Sequence, residues 1–288
     1  MSRSGKVPTL PTESSPMSRR LTAADRYRLI RLASAMPVGS SERRAILAGL
    51  MGVASAGEVD VPGRHVIGKA QVSDRALVSG EAQVRDEAHV SGNAQVYGGS
   101  RVYGNARVYG NANVYDSAHV YGDAQVSGDA QVYDRSRVSG KAWVSGNAKV
   151  SDDALVSGNA RVYGAARVFG NARVHFYANV YGDAQVYANA EVSGNAHVYG
   201  SARVHSHARV YDSAQVSGKA RVYDSAQVSG NAVVSDNAWV AGRAQVSGDA
   251  VVSGRAYIGG DAQILGGEWD GSEGEILSGR WKAPGVPA

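Results

Sequence analysis

Three features of this sequence predict a parallel β-helix, an all-β fold in which one chain winds short strands into stacked coils. A six-residue unit of the form Gly-Asn-Ala-Arg-Val-Tyr, with variations, runs from Val66 to Ile264 without insertion or deletion. Every sixth residue of that run is Val, except Ile258 and Ile264, so 34 consecutive positions hold a β-branched aliphatic. Two residues before each of these, from Ala70 to Ala262, stands Ala, replaced only at Ser100 and Ser136. A three-residue strand cannot bury its own apolar side chains, but stacked copies can, which makes a fixed short period the signature of a solenoid.

The unit divides into a strand and a corner. In Ala106-Arg107-Val108 the strand period of two sends Ala and Val inward and Arg outward. The next three residues, as in Tyr109-Gly110-Asn111, are turn formers: Gly adopts positive φ without a Cβ penalty, and Asn and Asp tolerate it. A period of six and the glycine load together exclude a long α-helix.

Val in the first place and Ala in the fifth resembles the hexapeptide repeat of the left-handed β-helix acyltransferase superfamily, over about residues 61–266. That resemblance implies a left-handed, triangular coil of three hexapeptides, or about eighteen residues, and therefore about eleven coils. Residues eighteen apart then become neighbours. Lys69 falls beside Glu87, Asp123 beside Lys141, Arg135 beside Asp153 and Arg243 beside Asp261, and opposite charges stack favourably across strands. Tyr97, Tyr115 and Tyr133 form one expected aromatic ladder, and Tyr163, Tyr181 and Tyr199 another.

In chain order, residues 1–20 mix Ser, Pro, Thr and Arg without periodicity and read as a flexible arm. Residues 21–56 read as a helical hairpin. Thr22 and Asp25 suit a capping box, Tyr27, Leu29, Ile30, Leu32 and Ala33 form an apolar stripe ending before Pro37, and Ile46, Leu47 and Leu50 line a second helix. The hairpin is expected either to cap the first coil or to dock the chain onto an assembly or anionic surface. Residues 57–266 are the β-helix and 267–288 a cap or tail, in which Ile276 keeps the sixfold phase. Gly266, Gly267 and Gly271 permit a reversal there. The expectation is that Gly279 to Ala288 folds back over an apolar stripe made by Val233, Val251 and Trp269 with Trp239 and Tyr257, all read as outward, with a subunit contact at the same stripe as the alternative.

Composition bounds the function. The chain has no Cys, which excludes disulfides and thiol catalysis. Its formal charge of +4 is uneven: residues 1–50 carry nine Lys or Arg against three Asp or Glu, which leaves −2 for the remainder. Arg43-Arg44 before the apolar run Ala45 to Ala54, followed by Ala54-Ser55-Ala56, has the parts of a signal peptide but places them too far from the start. Secretion is therefore disfavoured, and a cytoplasmic or assembly-associated location is expected, with no transmembrane segment. Thr is missing after Thr22, so the Thr ladders of ice-binding β-helices are excluded.

Two groups of residues could carry chemistry. The outward strand centres hold nine Arg and Lys149 against one acid, Glu191. Arg161, Arg167, Arg173, Arg203 and Arg209 lie beside Tyr or other turn residues and form the candidate anion- or glycan-binding set. The opposing reading is a solvated face balanced by Asp at the corners. The second group is His205 and His207 around Ser206, with Ala188 one coil earlier, where two successive corners depart from Gly or Asp and Tyr187 and Tyr223 flank the site. The resemblance implies a His general base acting on acyl-CoA, but the loop that completes such sites is missing, and no His trio has metal-site spacing. The sequence thus predicts a non-enzymatic scaffold without cofactor, attached through its N-terminal arm to a protein partner or to itself, as a trimer if it follows the superfamily. The alternatives are a hexapeptide-repeat acyltransferase using acyl-CoA and a polyanion- or glycan-binding surface.

Overall fold

The structure is a computed structural model in which residues 66–284, 286 and 287 are described. The arm and hairpin expected over 1–56, and His65, lie outside the described residues. Among those described, every regular element is a β-strand, and the strands form three sheets of 14, 12 and 12 strands, parallel throughout except for the last strand of the first. Each hexapeptide supplies one strand and then turns a corner, so consecutive strands join the three sheets in rotation.

The first sheet pairs Val84 with Val102 and Val102 with Val120. The second pairs Val108 with Val126, and the third Val114 with Val132. Neighbours are thus eighteen residues apart, as the triangular coil requires. From Ala76 to Ile264 the inward Ala, Val and Ile side chains form one continuous buried core. The two exceptions in the alanine column are also buried, and each satisfies its hydroxyl on backbone carbonyls. Ser100 Oγ donates to Tyr97 O at 2.9 Å and Ser136 Oγ to Tyr133 O at 2.7 Å, because a buried hydroxyl without a partner is costly.

Corners close by a backbone bond such as Ala142 N to Ser139 O, 3.3 Å, with the second turn residue at positive φ. Glycine is required at many of them for space as well as for dihedral angle: a Cβ at Gly218 (φ +63) would stand 2.7 Å from Asp236 N in the next coil. Asp does more at these corners than tolerate the left-handed conformation. Asp224 Oδ2 accepts the Gly242 N–H and Asp236 Oδ2 the Gly254 N–H, both at 3.1 Å, so the carboxylate takes up a corner amide one coil on.

Of the four expected charge pairs, three form: Lys69–Glu87 at 3.2 Å, Arg135–Asp153 at 2.7 Å and Arg243–Asp261 at 2.6 Å. Asp123 instead accepts Asn105 Nδ2 at 3.0 Å. Both tyrosine ladders stack, with ring centroids 4.9 to 5.0 Å apart.

The helix makes about twelve turns, one more than expected, because the chain beyond Ile264 continues to pair. Strands Glu268–Trp269, Glu275–Ile276 and Arg280–Ala283 complete a final turn. Its steps are altered: Val252 pairs with Trp269, Ile258 with Ile276 and Ile264 with Trp281, so two of the three steps are one residue short.

That change corrects the expected outward stripe. A one-residue shift moves a side chain to the other face of its strand, so Trp269 points inward and is 1% exposed. Its ring meets that of Trp281 edge to face at 6.4 Å, and their indole N–H groups donate to Gly266 O and Ser278 O. The expected fold-back over the side face is also corrected. Val286–Pro287 pairs antiparallel to Arg280–Ala283 in the first sheet, so the tail finishes the end of that sheet and leaves Trp239 38% exposed on the third.

Candidate functional site

The coil geometry sorts the outward residues by face, and the five candidate arginines do not share one. Arg173 and Arg209 lie on the first sheet with Glu191 between them. Arg161 lies on the second, between Trp143 and Asn179. Arg167 and Arg203 lie on the third, separated by Gln185. A six-residue step turns a corner, so arginines that are close in sequence diverge in space.

On the first sheet Glu191 receives His175 Nε2 at 2.8 Å and faces Arg209 Nε at 3.8 Å, which breaks the positive run there. The third sheet is more nearly uniform. Lys149, Arg167, Gln185, Arg203 and Arg221 succeed one another before Trp239, and the Arg221 guanidinium lies 4.9 Å from the centroid of the Trp239 ring. Beside them runs a stacked column of Phe169, Tyr187, His205 and Tyr223, with centroids 4.8, 4.8 and 5.3 Å apart.

His205 is therefore a member of an aromatic column. Its Nδ1 lies 3.1 Å from Ser206 Oγ. Burial pushes its pKa below the ordinary histidine value, Asp224 opposes that shift, and Arg221 and Arg203 add to it. Burial likewise pushes the Tyr223 phenol up to about 12, helped by a hydrogen bond with Tyr257. His207 stands past the corner, exposed, its Nε2 3.4 Å from Asn189 Nδ2. The two histidines are near in sequence but take different partners.

No cluster of three or more His, Asp or Glu suited to a metal is present among the described residues. A cleft of about 550 Å3 opens at the corner of Asp116, Ser117, Asp134, Arg135, Asp152 and Asp153. Two of its acids serve the backbone, Asp134 Oδ2 accepting Asp152 N–H and Asp152 Oδ2 accepting Gly170 N–H.

Sequence reasoning passed over two features. Phe176 is a third corner that departs from Gly or Asp, at φ 58, an uncommon and strained backbone for a bulky residue. It and Tyr177 are 57% and 59% exposed. The break in the Gly-or-Asp column at 176 was the available signal. The second feature is a run on the first sheet, where Arg101, His119 and Arg137 occupy three consecutive coils. Their eighteen-residue spacing was legible, but the hexapeptide reading sorted arginines by unit and not by face.

The chain is similar to a family described as YdcK Beta solenoid repeat. The similarity covers residues 70–86, 100–116, 106–122, 130–146, 148–164, 154–168 and 226–242. Six of the seven matches span 17 residues, close to one eighteen-residue coil, and all fall within the stacked coils, so sequence similarity and structure agree on a β-solenoid repeat. No curated protein and no solved structure matches the chain.

Proposed function

We propose that this protein is a non-enzymatic β-solenoid rod that displays its side faces and is joined by its N-terminal segment to a protein partner or a second copy. The observation that carries this reading is the difference between the ends of the described core. Trp269 is buried and Trp281 and a returning strand finish the C-terminal coil, whereas the inward Val66 of the first described coil is 37% exposed. An inward position exposed at the end of a solenoid is an edge that a covering segment or partner would shield. Light scattering on the full chain and on a chain lacking residues 1–56 tests it. A fall in assembly mass or the loss of a co-purifying protein, with β-structure retained, is expected. Unchanged mass and partners would contradict the proposal, as would acyl-CoA binding in calorimetry.

A second reading, a polyanion- or glycan-binding surface, is favoured by the third sheet, where Lys149, Arg167, Arg203 and Arg221 run beside an aromatic column. Stacked rings show their edges outward, so affinity there would come from guanidinium groups and be sensitive to salt. Arg203→Gln should bring elution from heparin to lower salt by more than Arg161→Gln on the second sheet. Equal shifts would assign the retention to net charge alone.

A further inference from the structure

The strongest unassigned concentration of charge is on the first sheet, two coils before Arg173 and sharing no residue with the five candidate arginines. Arg101, His119 and Arg137 are strand centres in register on consecutive coils, about 4.8 Å per step. The side chains of Arg101 and Arg137 make no hydrogen bond or ion pair among the described residues and are exposed, and His119 lies half-buried between them. Arg85 joins the group from the neighbouring column. Its guanidinium sits 4.7 Å from the centroid of the Tyr103 ring, and its Nε is buried without a hydrogen-bond partner. The Tyr103 ring meets His119 edge on at 6.2 Å and stacks on Tyr121 at 4.9 Å.

Most of the bordering acids are already engaged. Glu87 pairs with Lys69, Asp86 accepts the Gly104 N–H, Asp123 accepts Asn105 and Asp153 pairs with Arg135. Asp116 and Asp134, three residues before His119 and Arg137, sit at the acidic corner described above, where Asp116 accepts from the Asp134 backbone and Asp134 accepts the Asp152 N–H; Glu81 precedes Gln83 one coil away from Arg101. Three guanidinium groups around one imidazole repel one another, and without an anion that repulsion is relieved only by water and salt.

We propose that Arg85, Arg101, His119 and Arg137 form a binding site for a phosphate monoester dianion. A tetrahedral oxyanion over the His119 ring lies within reach of two guanidinium groups two coils apart, each able to donate in pairs to its oxygens. The imidazole beneath supplies a further donor. Burial first, then Arg101, Arg137 and Arg85, hold the His119 pKa below its ordinary value, and by linkage a bound dianion must raise it. His119 is flanked in register by Arg101 and Arg137, with Tyr103 edge on and Arg85 beyond that ring, and the nearest acid in sequence, Asp116, stands at the preceding corner and not in the strand column.

The test uses the full chain at about pH 7.5, where a phosphate monoester with its second pKa near 6 is largely a dianion. Methyl phosphate is titrated against a sodium chloride control of matched ionic strength. Imidazole signals are followed by NMR and assigned through His119→Gln. A saturable shift confined to His119, with its pKa raised in the presence of methyl phosphate, is expected. Arg101→Gln and Arg137→Gln, both at exposed positions, should each weaken binding about tenfold. Arg107→Gln, an exposed arginine on the second sheet, should leave it unchanged. Methyl sulfate, a monoanion, should bind more weakly. A non-saturating response equal to that of chloride, an unaltered affinity in Arg101→Gln, or equal binding of methyl sulfate would overturn the proposal.

Discussion

Between Ala82 and Ile264 the core is built almost wholly from Ala, Val and Ile, whereas the closing turn puts Trp269 and Trp281 at equivalent inward positions. In the repeat, each inward residue is covered by the coil above and the coil below, so only a side chain of nearly constant size fits. The last coil has no full coil beyond it, only the short returning strand Val286–Pro287 on the first sheet. A larger ring covers more of the exposed end, and the shortened steps turn it inward. The same backbone pairing thus accepts two chemistries, according to whether or not a full coil lies on both sides.

The sharpest way to break that comparison is to place a charge in the middle of the repeat. Val144→Asp buries a carboxylate between Val126 and Val162, with an expected cost of several kcal/mol, roughly 3 or more. Ser145→Asp, on the adjoining corner, should stay within about 0.5 kcal/mol. Equal losses of Tm would contradict the inward and outward assignment.

Next in size come the two tryptophans. Trp269→Ala should cost about 3 to 5 kcal/mol, since the ring is fully buried. Trp281→Ala should cost about 1 to 2 kcal/mol, as its ring is only partly buried against the core. Chemical denaturation gives the order, and a larger loss at Trp281 would mean that the tail, and not the inward Trp269, holds the end together.

Corner substitutions sharpen the account of the repeat itself. Gly218→Ala must strain a left-handed backbone and press a Cβ toward Asp236 N, at about 1 to 3 kcal/mol. Asp224→Ala removes the acceptor of the Gly242 N–H and should cost about 1 kcal/mol, with Asp224→Asn recovering most of it. A neutral Asp224→Ala would show that water serves that amide as well as the carboxylate does.

The smallest effect is on pH dependence. His119 and His205 both have folded-state pKa values depressed below 6.5, chiefly by burial. A histidine that resists protonation in the fold binds more protons when unfolded, so its contribution is complete above the unfolded value near pH 6.5 and is lost as pH falls below it through the lower folded-state value. Tm should therefore decline from about pH 7.5 to about pH 5.5, and His205→Gln should flatten the slope. A Tm that rises on acidification over this range would contradict the burial of these rings.

The β-solenoid was legible from the Ala and Val columns alone, because space on the inside dictates them at every repeat. The tyrosine ladders and three of the four charge pairs followed from adding the eighteen-residue step. The closing turn was not legible, since Trp269 lies five residues past Ile264 where the lattice predicts six, and only pairing geometry shows that the slip turns the ring inward. The candidate surfaces were half legible. Residue type marked the arginines, but which of them meet is a property of the face, and the corner role of Asp as an acceptor for the next coil leaves no trace in composition. His205 and His207 looked alike in sequence and differ in space because one precedes the corner and the other follows it.

The eighteen-residue register is the claim on which core, ladders and proposed sites all depend, and the absence of Cys from the chain allows one engineered pair to report on it. Gln131 and Lys149 are direct neighbours on the third sheet, at a strand spacing of about 4.8 Å that lies within the Cα range of a disulfide. Under mild oxidation, Gln131→Cys with Lys149→Cys should form an intramolecular disulfide rapidly and without loss of Tm. Gln131→Cys with Trp143→Cys, twelve residues apart and on a different sheet, should stay reduced. Rapid bridging of the twelve-residue pair, or failure of the eighteen-residue pair to bridge in a folded chain, would contradict the register.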